Sequence, residues 1–228
     1  MESKKLEISE LYEELRDNFG FLNWWPGETP DEIIIGAILT QQTSWRNVEK
    51  ALENLRHAKA LELRKISGLG QQRLEKLIRP SGFYRQKARR LKALARHIYN
   101  NYPSVGKFLN KDTGELRKEL LEQNGVGKET ADSILLYAAG KKVFVIDAYT
   151  KRIMHRVYGT EEGIKYDELQ ERVSGAIKSD LRLYKDLHAQ LVRLGKEYCN
   201  TRPRCNSCPI RGRCNYFKTL CNQGESSG

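Results

Sequence analysis

The chain of 228 residues is long enough to bury a sizeable core, and its 40 Lys and Arg against 29 Asp and Glu give a formal net charge of +11. That excess of positive charge favours a polyanionic partner such as nucleic acid. No stretch approaches the roughly 20 apolar residues of a membrane helix and the first residues lack the apolar run of a signal peptide, so we expect a cytoplasmic protein with no membrane partner.

Apolar residues recur at helical spacing along most of the chain, which predicts an all-α protein. The predicted helices span residues 6–19, 33–55, 74–78, 88–99, 116–121, 130–139, 148–158, 166–177 and 184–196. Residues 143–146, Val-Phe-Val-Ile, have strand propensity instead. Because no partner strand is visible, we interpret them as a buried connector. The tail, 218–228, is small and polar after Leu220 and is predicted to be disordered.

Two short segments, 68–70 and 125–127, place Gly-apolar-Gly directly before a helical pattern. In the second segment the glycines permit positive φ, so the chain can turn sharply there and expose the first unpaired N–H groups of the next helix. Such N–H groups form a seat for a phosphate, and Lys128 adds a positive charge at the second turn. An ordinary helix-to-helix turn would have the same pattern, so both interpretations remain open.

The apolar connector ends in Asp147, just before a helical pattern. A carboxylate at a helix start is typical of an N-cap. A carboxylate can also stabilise the oxocarbenium-like charge that develops when an N-glycosidic bond is hydrolysed. These two roles are compatible.

Residues 125–131, Gly-Val-Gly-Lys-Glu-Thr-Ala, and 145–152, Val-Ile-Asp-Ala-Tyr-Thr-Lys-Arg, resemble the helix-hairpin-helix and catalytic-aspartate signature of the endonuclease III family of DNA glycosylases, and the likeness spans about 6–217. The resemblance implies a two-lobed fold, with a helical barrel domain over 27–137 that carries the hairpin and an iron-sulfur domain made of 1–26 and 138–217. It also implies that Asp147 is catalytic. The hairpin residues expected to grip a phosphate beside the lesion are Gly125, Gly127, Lys128 and Thr130.

Glu129 bears on the reaction subtype. In family members that also cut the strand, a lysine at the matching position attacks the sugar and forms a Schiff base. A carboxylate cannot do so, and the neighbouring Lys128 points about 100° around the helix, which suits a phosphate contact. We therefore expect a monofunctional glycosylase with weak or absent AP lyase activity. Glu129 itself is a candidate catalytic group that favours a cationic base or positions water, or else a solvated surface carboxylate.

An enzyme that acts on a base must hold the extruded base between apolar or aromatic faces. The candidates are Trp24, Trp25 and Trp45, for which core packing is the alternative. The segments 24–26, 41–43 and 127–131 are together similar to the alkylpurine branch of the family, the 3-methyladenine or methylpurine glycosylases. A purine alkylated at a ring nitrogen is cationic, so an electron-rich aromatic face attracts it.

The helical region around Gln42 carries two further implications of the resemblance. Gln42 matches a glutamine that fills the gap left by the flipped nucleotide, although an exposed helical glutamine is the alternative. Ala37 occupies the position at which the adenine-specific branch has a catalytic glutamate, so adenine-specific activity is disfavoured.

Four cysteines have the spacing C-x5-C-x2-C-x5-C near the end of the chain: Cys199, Cys205, Cys208 and Cys214. This spacing can bring four thiolates around one centre, and zinc is the alternative to iron-sulfur. The pattern resembles the 4Fe-4S loop of the family. Four arginines interleaved with these ligands are expected to contact DNA phosphates: Arg202, Arg204, Arg211 and Arg213.

The leading hypothesis is a monomeric base excision repair glycosylase that binds damaged double-stranded DNA and removes alkylated purines. One alternative is a bifunctional endonuclease III-like glycosylase and AP lyase for oxidised pyrimidines. The other is a non-catalytic iron-sulfur protein that binds DNA.

Overall fold

The computed structural model describes residues 6–22, 24 and 27–225, and the chain splits into two compact units. Unit 1 consists of Met1–Trp24 with Lys142–Gly228, and unit 2 is Trp25–Lys141. Every regular element in the described residues is helical, which confirms the all-α prediction. In the described part of the chain, we find no helix with the length and apolar character that crossing a membrane requires.

Unit 2 is built around two helices with different roles. Its helices are α2 (Pro30–Leu39), α3 (Trp45–His57), α4 (Leu63–Gly68), α5 (Gln71–Leu77), α6 (Tyr84–Asn101), α7 (Val105–Leu109), α8 (Thr113–Leu121) and α9 (Lys128–Ser133). Helix α2 is buried almost all round, with Thr29 as its N-cap and Pro30 in its first turn. Helix α6 packs against α2, α4, α5 and α7. Unit 2 therefore has an apolar centre in α2 and a long supporting helix in α6.

The single helix expected over 33–55 is two helices, because the chain leaves helical geometry in a turn at residues 40–44. Gln42 in this turn has φ +53°, a left-handed value that a helix cannot contain. Beyond α9, residues Ile134–Ala138 continue as a π-helical turn.

Unit 1 combines α1 (Ile8–Phe19) with α10 (Ala148–Tyr158), α11 (Tyr166–Gly175), α12 (Leu181–Glu197) and α13 (Asn215–Glu225). Residues 143–146 have no regular structure, and Phe144, Val145 and Ile146 are at most 1% exposed, so the predicted buried connector is confirmed. Helix α12 packs against α10 and α1. At its contact with α10, a Cβ on Gly195 would overlap the Tyr149 ring, so glycine permits the close approach.

The expectation of a disordered tail from residue 218 is corrected, because α13 continues to Glu225. The backbone N–H of Lys218 donates to Cys214 O, and the Thr219 hydroxyl donates to Asn215 O, so helical hydrogen bonding runs past the predicted boundary. Polar composition alone was a poor guide here, since the segment also keeps apolar residues at helical spacing.

Candidate active site

Asp147 ends the buried connector and is the N-cap of α10. Its Oδ1 accepts a hydrogen bond from the backbone N–H of Thr150 at 2.7 Å. Its side chain keeps 13% of its surface exposed, although the apolar residues before it are buried. The cap therefore fixes the carboxylate through one oxygen, while the other oxygen takes no part in capping.

His188 of α12 lies beside that second oxygen, with Nε2 3.6 Å from Asp147 Oδ2 and only 8% of the histidine side chain exposed. Burial raises the pKa of the Asp147 carboxyl, but His188 and the Thr150 backbone N–H outweigh burial and hold this pKa below its ordinary value. Asp147 is therefore an anion at neutral pH. Sequence reasoning missed His188, because a lone histidine on a helix has no distinctive pattern.

The hairpin between α8 and α9 uses its two glycines differently. Gly125 has φ +81°, and a Cβ there would also overlap the Arg90 side chain. Gly127 is extended, with φ −91° and ψ 176°, and a Cβ there would meet nothing within 4 Å. The expectation of left-handed glycine geometry therefore holds at Gly125 and is wrong at Gly127.

The residues after the hairpin face in different directions. Lys128 and Glu129 are exposed in the first turn of α9. Thr130 is buried, and its Oγ1 accepts a hydrogen bond from Gln41 Nε2 at 3.1 Å. The Thr130 hydroxyl is therefore bonded inside the fold, and the expected phosphate contact of this hairpin residue stays a prediction.

Gln41 connects three parts of unit 2. Its Nε2 donates to Gly125 O at 2.8 Å as well as to Thr130, and its Oε1 accepts from Arg90 Nη1 at 2.9 Å. The turn that carries Gln42 is thereby tied to the hairpin and to α6. A sequence pattern gives little warning of such a role, because Gln41 and Gly125 are 84 residues apart.

Gln42 and Phe83 are exposed residues held in left-handed backbone geometry. Gln42 has φ +53°, and Phe83, directly before α6, has φ +44° with 62% of its surface exposed. Non-glycine residues in this region cost about 1 kcal/mol or more, and such strain concentrates at binding sites. Phe83 was missed in the sequence. The run Pro-Ser-Gly at 80–82 is typical of a turn, but it does not indicate an exposed aromatic side chain.

The tryptophans proposed for the base pocket belong to both units. Trp24 in unit 1 and Trp45, the first residue of α3 in unit 2, are both partly exposed. Trp25 lies outside the described residues. The base pocket remains a prediction at all three positions.

The four cysteines of the loop after α12 line one cavity, together with apolar side chains such as Leu194 and Ile210. Arg156 Nη1 lies 3.4 Å from Cys199 Sγ, in position to donate to it. Burial and then the nearby Cys214 and Cys199 raise the pKa of the Cys205 thiol, so the set needs a positive centre to be stable as thiolates. Within residues 6–22, 24 and 27–225, no three histidine, cysteine or carboxylate side chains are close enough together to hold one metal ion.

The arginines of the cysteine loop divide into two groups. Arg202, Arg204 and Arg211 are exposed, and Arg211 also donates to Asn206 O. Arg213 instead pairs with two carboxylates of α1, at 2.5 Å from Glu10 and 3.3 Å from Glu14. The expected DNA contact by Arg213 is therefore corrected, because its charge is already used to fix the loop to α1.

Known proteins resemble the chain over most of its length. The family model for an HhH-GPD superfamily base excision DNA repair protein matches residues 35–179. A Methanocaldococcus jannaschii protein named "Putative DNA repair glycosylase MJ1434" is 47% identical, over 94% of this chain and 99% of that relative. The structure of H. pylori 3-methyladenine DNA glycosylase (MagIII) bound to 1,N6-ethenoadenine has TM-score 0.76 and 34% identity, covering 84% of this chain and 98% of that one.

A trapped endonuclease III–DNA covalent intermediate has TM-score 0.80 and covers 95% of this chain and 99% of that one. At 22% identity, this likeness shows the fold alone.

Proposed function

The chain belongs to the HhH-GPD superfamily of base excision DNA repair proteins, and we propose that it is a monofunctional DNA glycosylase that hydrolyses the N-glycosidic bond of alkylated purines. Its family makes it a DNA glycosylase of base excision repair. The reaction subtype and the substrate class are our proposal. The observation that carries the hydrolytic chemistry is the Asp147 carboxylate, which is anionic, partly exposed and fixed at the start of α10. Glu129 and the tryptophans bear on the subtype and the substrate class.

In the proposed mechanism, Asp147 faces the sugar as its bond to the base breaks. Positive charge develops on the sugar in that transition state, and a fixed carboxylate stabilises it without reorganising. The same group orients a water molecule for attack. His188 lies beside Asp147 Oδ2 and holds the carboxylate in place, so we assign it a positioning role.

The absence of a lysine at position 129 supports hydrolysis without strand cleavage. The exposed Glu129 has no amine with which to form a Schiff base, and we assign a phosphate contact to the neighbouring exposed Lys128. We therefore expect borohydride to trap no covalent DNA adduct. Such an adduct would support the bifunctional alternative.

An alkylpurine is the substrate class that these residues favour. A base alkylated at a ring nitrogen is cationic and already a good leaving group. Its binding site therefore needs aromatic side chains to hold the base more than it needs a general acid. Trp24, Trp25 and Trp45 are the candidates for those faces, and Glu129 for an added negative charge. The 34% identical MagIII is named a 3-methyladenine glycosylase and is bound to 1,N6-ethenoadenine, which is consistent with this class.

The hairpin and the two exposed turns that carry Gln42 and Phe83 are the proposed binding elements for damaged double-stranded DNA. Gly127 has neither a left-handed backbone nor a packing contact that calls for glycine, so a close external partner such as a phosphate accounts for it. Gln42 and Phe83 are the candidates to enter the duplex around the extruded base. Arg202, Arg204 and Arg211 add positive charge for the phosphates.

A 4Fe-4S cluster is the proposed occupant of the cysteine cavity. The four cysteines line one cavity, and their spacing along the chain resembles the 4Fe-4S loop of the family, with zinc as the alternative occupant. Cys199, Cys205, Cys208 and Cys214 would hold the cluster, whose contribution is to stabilise the loop and its basic surface.

The deciding experiment compares base release by the wild type with that by Asp147→Asn, on duplexes that carry alkylated purines or oxidised pyrimidines. The matched control is Asp180→Asn, because Asp180 caps α12 with the same hydrogen bond to the third following N–H. Asparagine is also a good N-cap, so both variants should fold.

We expect wild type and Asp180→Asn to release alkylated purines, and Asp147→Asn to lose at least about a hundredfold in rate while still binding duplex DNA. Release of oxidised pyrimidines alone would refute the substrate class. Undiminished release by Asp147→Asn would refute the catalytic assignment, and a wild type that binds DNA without releasing any base would support the non-catalytic alternative.

A further inference from the structure

Lys87 of α6 is a buried cation that the proposed mechanism does not use. Only 1% of its surface is exposed. Its Nζ donates to Leu39 O at 2.9 Å and to Ser81 O at 2.6 Å. In the described part of the chain it has no carboxylate partner, and burial together with the nearby Arg90 lowers its pKa to about 8. A buried charge without a counter-ion is costly, so packing alone does not account for lysine at this position.

The two carbonyl groups that Lys87 binds each precede a strained, exposed residue. Leu39 ends α2 three residues before Gln42, and Ser81 lies two residues before Phe83. Gln42 and Phe83 have φ of +53° and +44°. One ammonium group thus connects the turn at 40–44 with the turn at 79–83.

Arg90, one helical turn further along α6, adds a second connection to the first of these turns. It donates to Gln41, whose amide donates in turn to the hairpin at Gly125. The same face of α6 therefore supports both exposed turns and the hairpin. Gln42 and Phe83 have backbone geometries that local preference disfavours, so this internal support has to hold them.

We propose that Lys87 is a positioning residue for base extrusion, which holds the Gln42 and Phe83 turns at a fixed separation so that both side chains enter the duplex together. This inference rests on the proposed function. Without the ammonium group, each turn relaxes independently, and DNA still binds through the hairpin while the base is extruded poorly. Loss of the ammonium group should therefore slow the opening of a base pair, rather than weaken DNA binding or slow the cleavage of the N-glycosidic bond.

The test uses Lys87→Met, which keeps the length of the side chain and removes its charge. The matched control is Lys92→Met, because Lys92 is also a buried lysine of α6 that donates to a single backbone carbonyl, Leu69 O, away from both strained turns. Single-turnover base release is measured on the same alkylated purine in two settings, paired in a duplex and unpaired in a one-nucleotide bulge. 2-Aminopurine next to the lesion reports duplex opening by its fluorescence.

We expect Lys87→Met to slow base release from the paired duplex by about tenfold, because small misplacements of groups at an active site reduce reaction rates on that scale. The bulged substrate should recover most of the rate, the 2-aminopurine signal should fall, and affinity for undamaged duplex should stay within about twofold of wild type. Lys92→Met should match wild type on both substrates. If Lys87→Met does not fold, Lys87→Gln replaces it, since its amide is too short to reach both carbonyl groups.

Equal rates for wild type and the folded variant on the paired duplex would overturn the proposal, and so would an equal loss on paired and bulged substrates. A wild type that releases no base would refute the proposed function instead. In that case, a 2-aminopurine signal that is the same for wild type, Lys87→Met and Lys92→Met would still overturn the positioning role.

Discussion

The turns at 68–70 and 125–127 have the same Gly-apolar-Gly pattern but different backbones. At the second turn Gly125 has φ +81°, whereas no glycine of the first turn adopts a left-handed conformation. Leu69 is partly exposed between its glycines, while Val126 is buried. The same short pattern therefore specifies a sharp hairpin in one place and an ordinary connection in the other.

The surroundings of each turn account for this difference. Basic side chains of α6 reach both turns, since Lys92 donates to Leu69 O and Arg96 to Ser67 O at the first. These bonds cap the carbonyl end of α4, a usual role for cations at a helix C-terminus. At the second turn Arg90 acts through Gln41, whose amide donates to Gly125 O. The hairpin therefore differs from the first turn in its left-handed glycine and in the Gln41 network that supports it.

The largest effect should come from Gly125→Ala. Alanine there needs a left-handed backbone and would overlap Arg90, so we expect a loss of about 3 kcal/mol in the free energy of unfolding. Urea denaturation measures this loss, and Gly70→Ala in the first turn is the control, with a change below about 0.5 kcal/mol. Equal losses at the two turns would contradict the distinction between them.

Gln41→Leu should have the next largest effect. It leaves Gly125 O, the Thr130 hydroxyl and an Arg90 N–H without their shared partner, at a cost of about 2 kcal/mol. The control is Gln71→Leu beside the first turn, where the amide donates to Glu75 of the same helix. Thermal unfolding would detect the difference, and a Gln41→Leu protein as stable as the control would show that the amide network is dispensable.

Lowering the pH should destabilise the region of the second turn, through the Glu119 carboxyl of α8. Burial would raise the pKa of this carboxyl, but hydrogen bonds from Lys111, His97 and Tyr102 outweigh burial and lower the pKa from its ordinary 4.5 to about 2. Because the folded-state pKa is the lower one, this stabilisation is present above about pH 4.5 and is lost as pH falls towards 2.

Glu119→Gln should therefore cost about 1.5 kcal/mol at pH 7 and nothing near pH 2. Urea unfolding of both proteins across this range measures the difference. A constant gap between wild type and Glu119→Gln at all pH values would rule out the electrostatic origin.

Sequence patterns predicted the parts of the site that are encoded locally. The connector, the cap at Asp147 and the left-handed Gly125 each follow from a few adjacent residues. The partners of these residues come from distant segments: His188 approaches Asp147 from α12, and Gln41 approaches Gly125 from 84 residues away. Thr130 was assigned to DNA through the resemblance and Arg213 through its place among the cysteines, and the internal partners of both side chains were visible only in the fold.

The smallest effects are expected from alanine substitutions at two glycines with open space around them. Comparing these two variants separates an effect on packing from an effect on DNA binding. Neither Gly68, at the end of α4, nor Gly127, before α9, has an atom within 4 Å of an added Cβ. Gly68→Ala should raise the free energy of unfolding by about 0.5 kcal/mol, because alanine restricts the unfolded chain. DNA affinity should not change.

Gly127→Ala should be equally harmless to stability, within about 0.5 kcal/mol, since its backbone is extended. If a phosphate approaches this backbone closely, however, the new methyl group should weaken duplex binding by about fivefold. Fluorescence anisotropy with an undamaged duplex measures this, with Gly68→Ala as the control. Unchanged affinity in Gly127→Ala would mean that the hairpin differs from the first turn in its internal support alone, and that the phosphate is bound elsewhere.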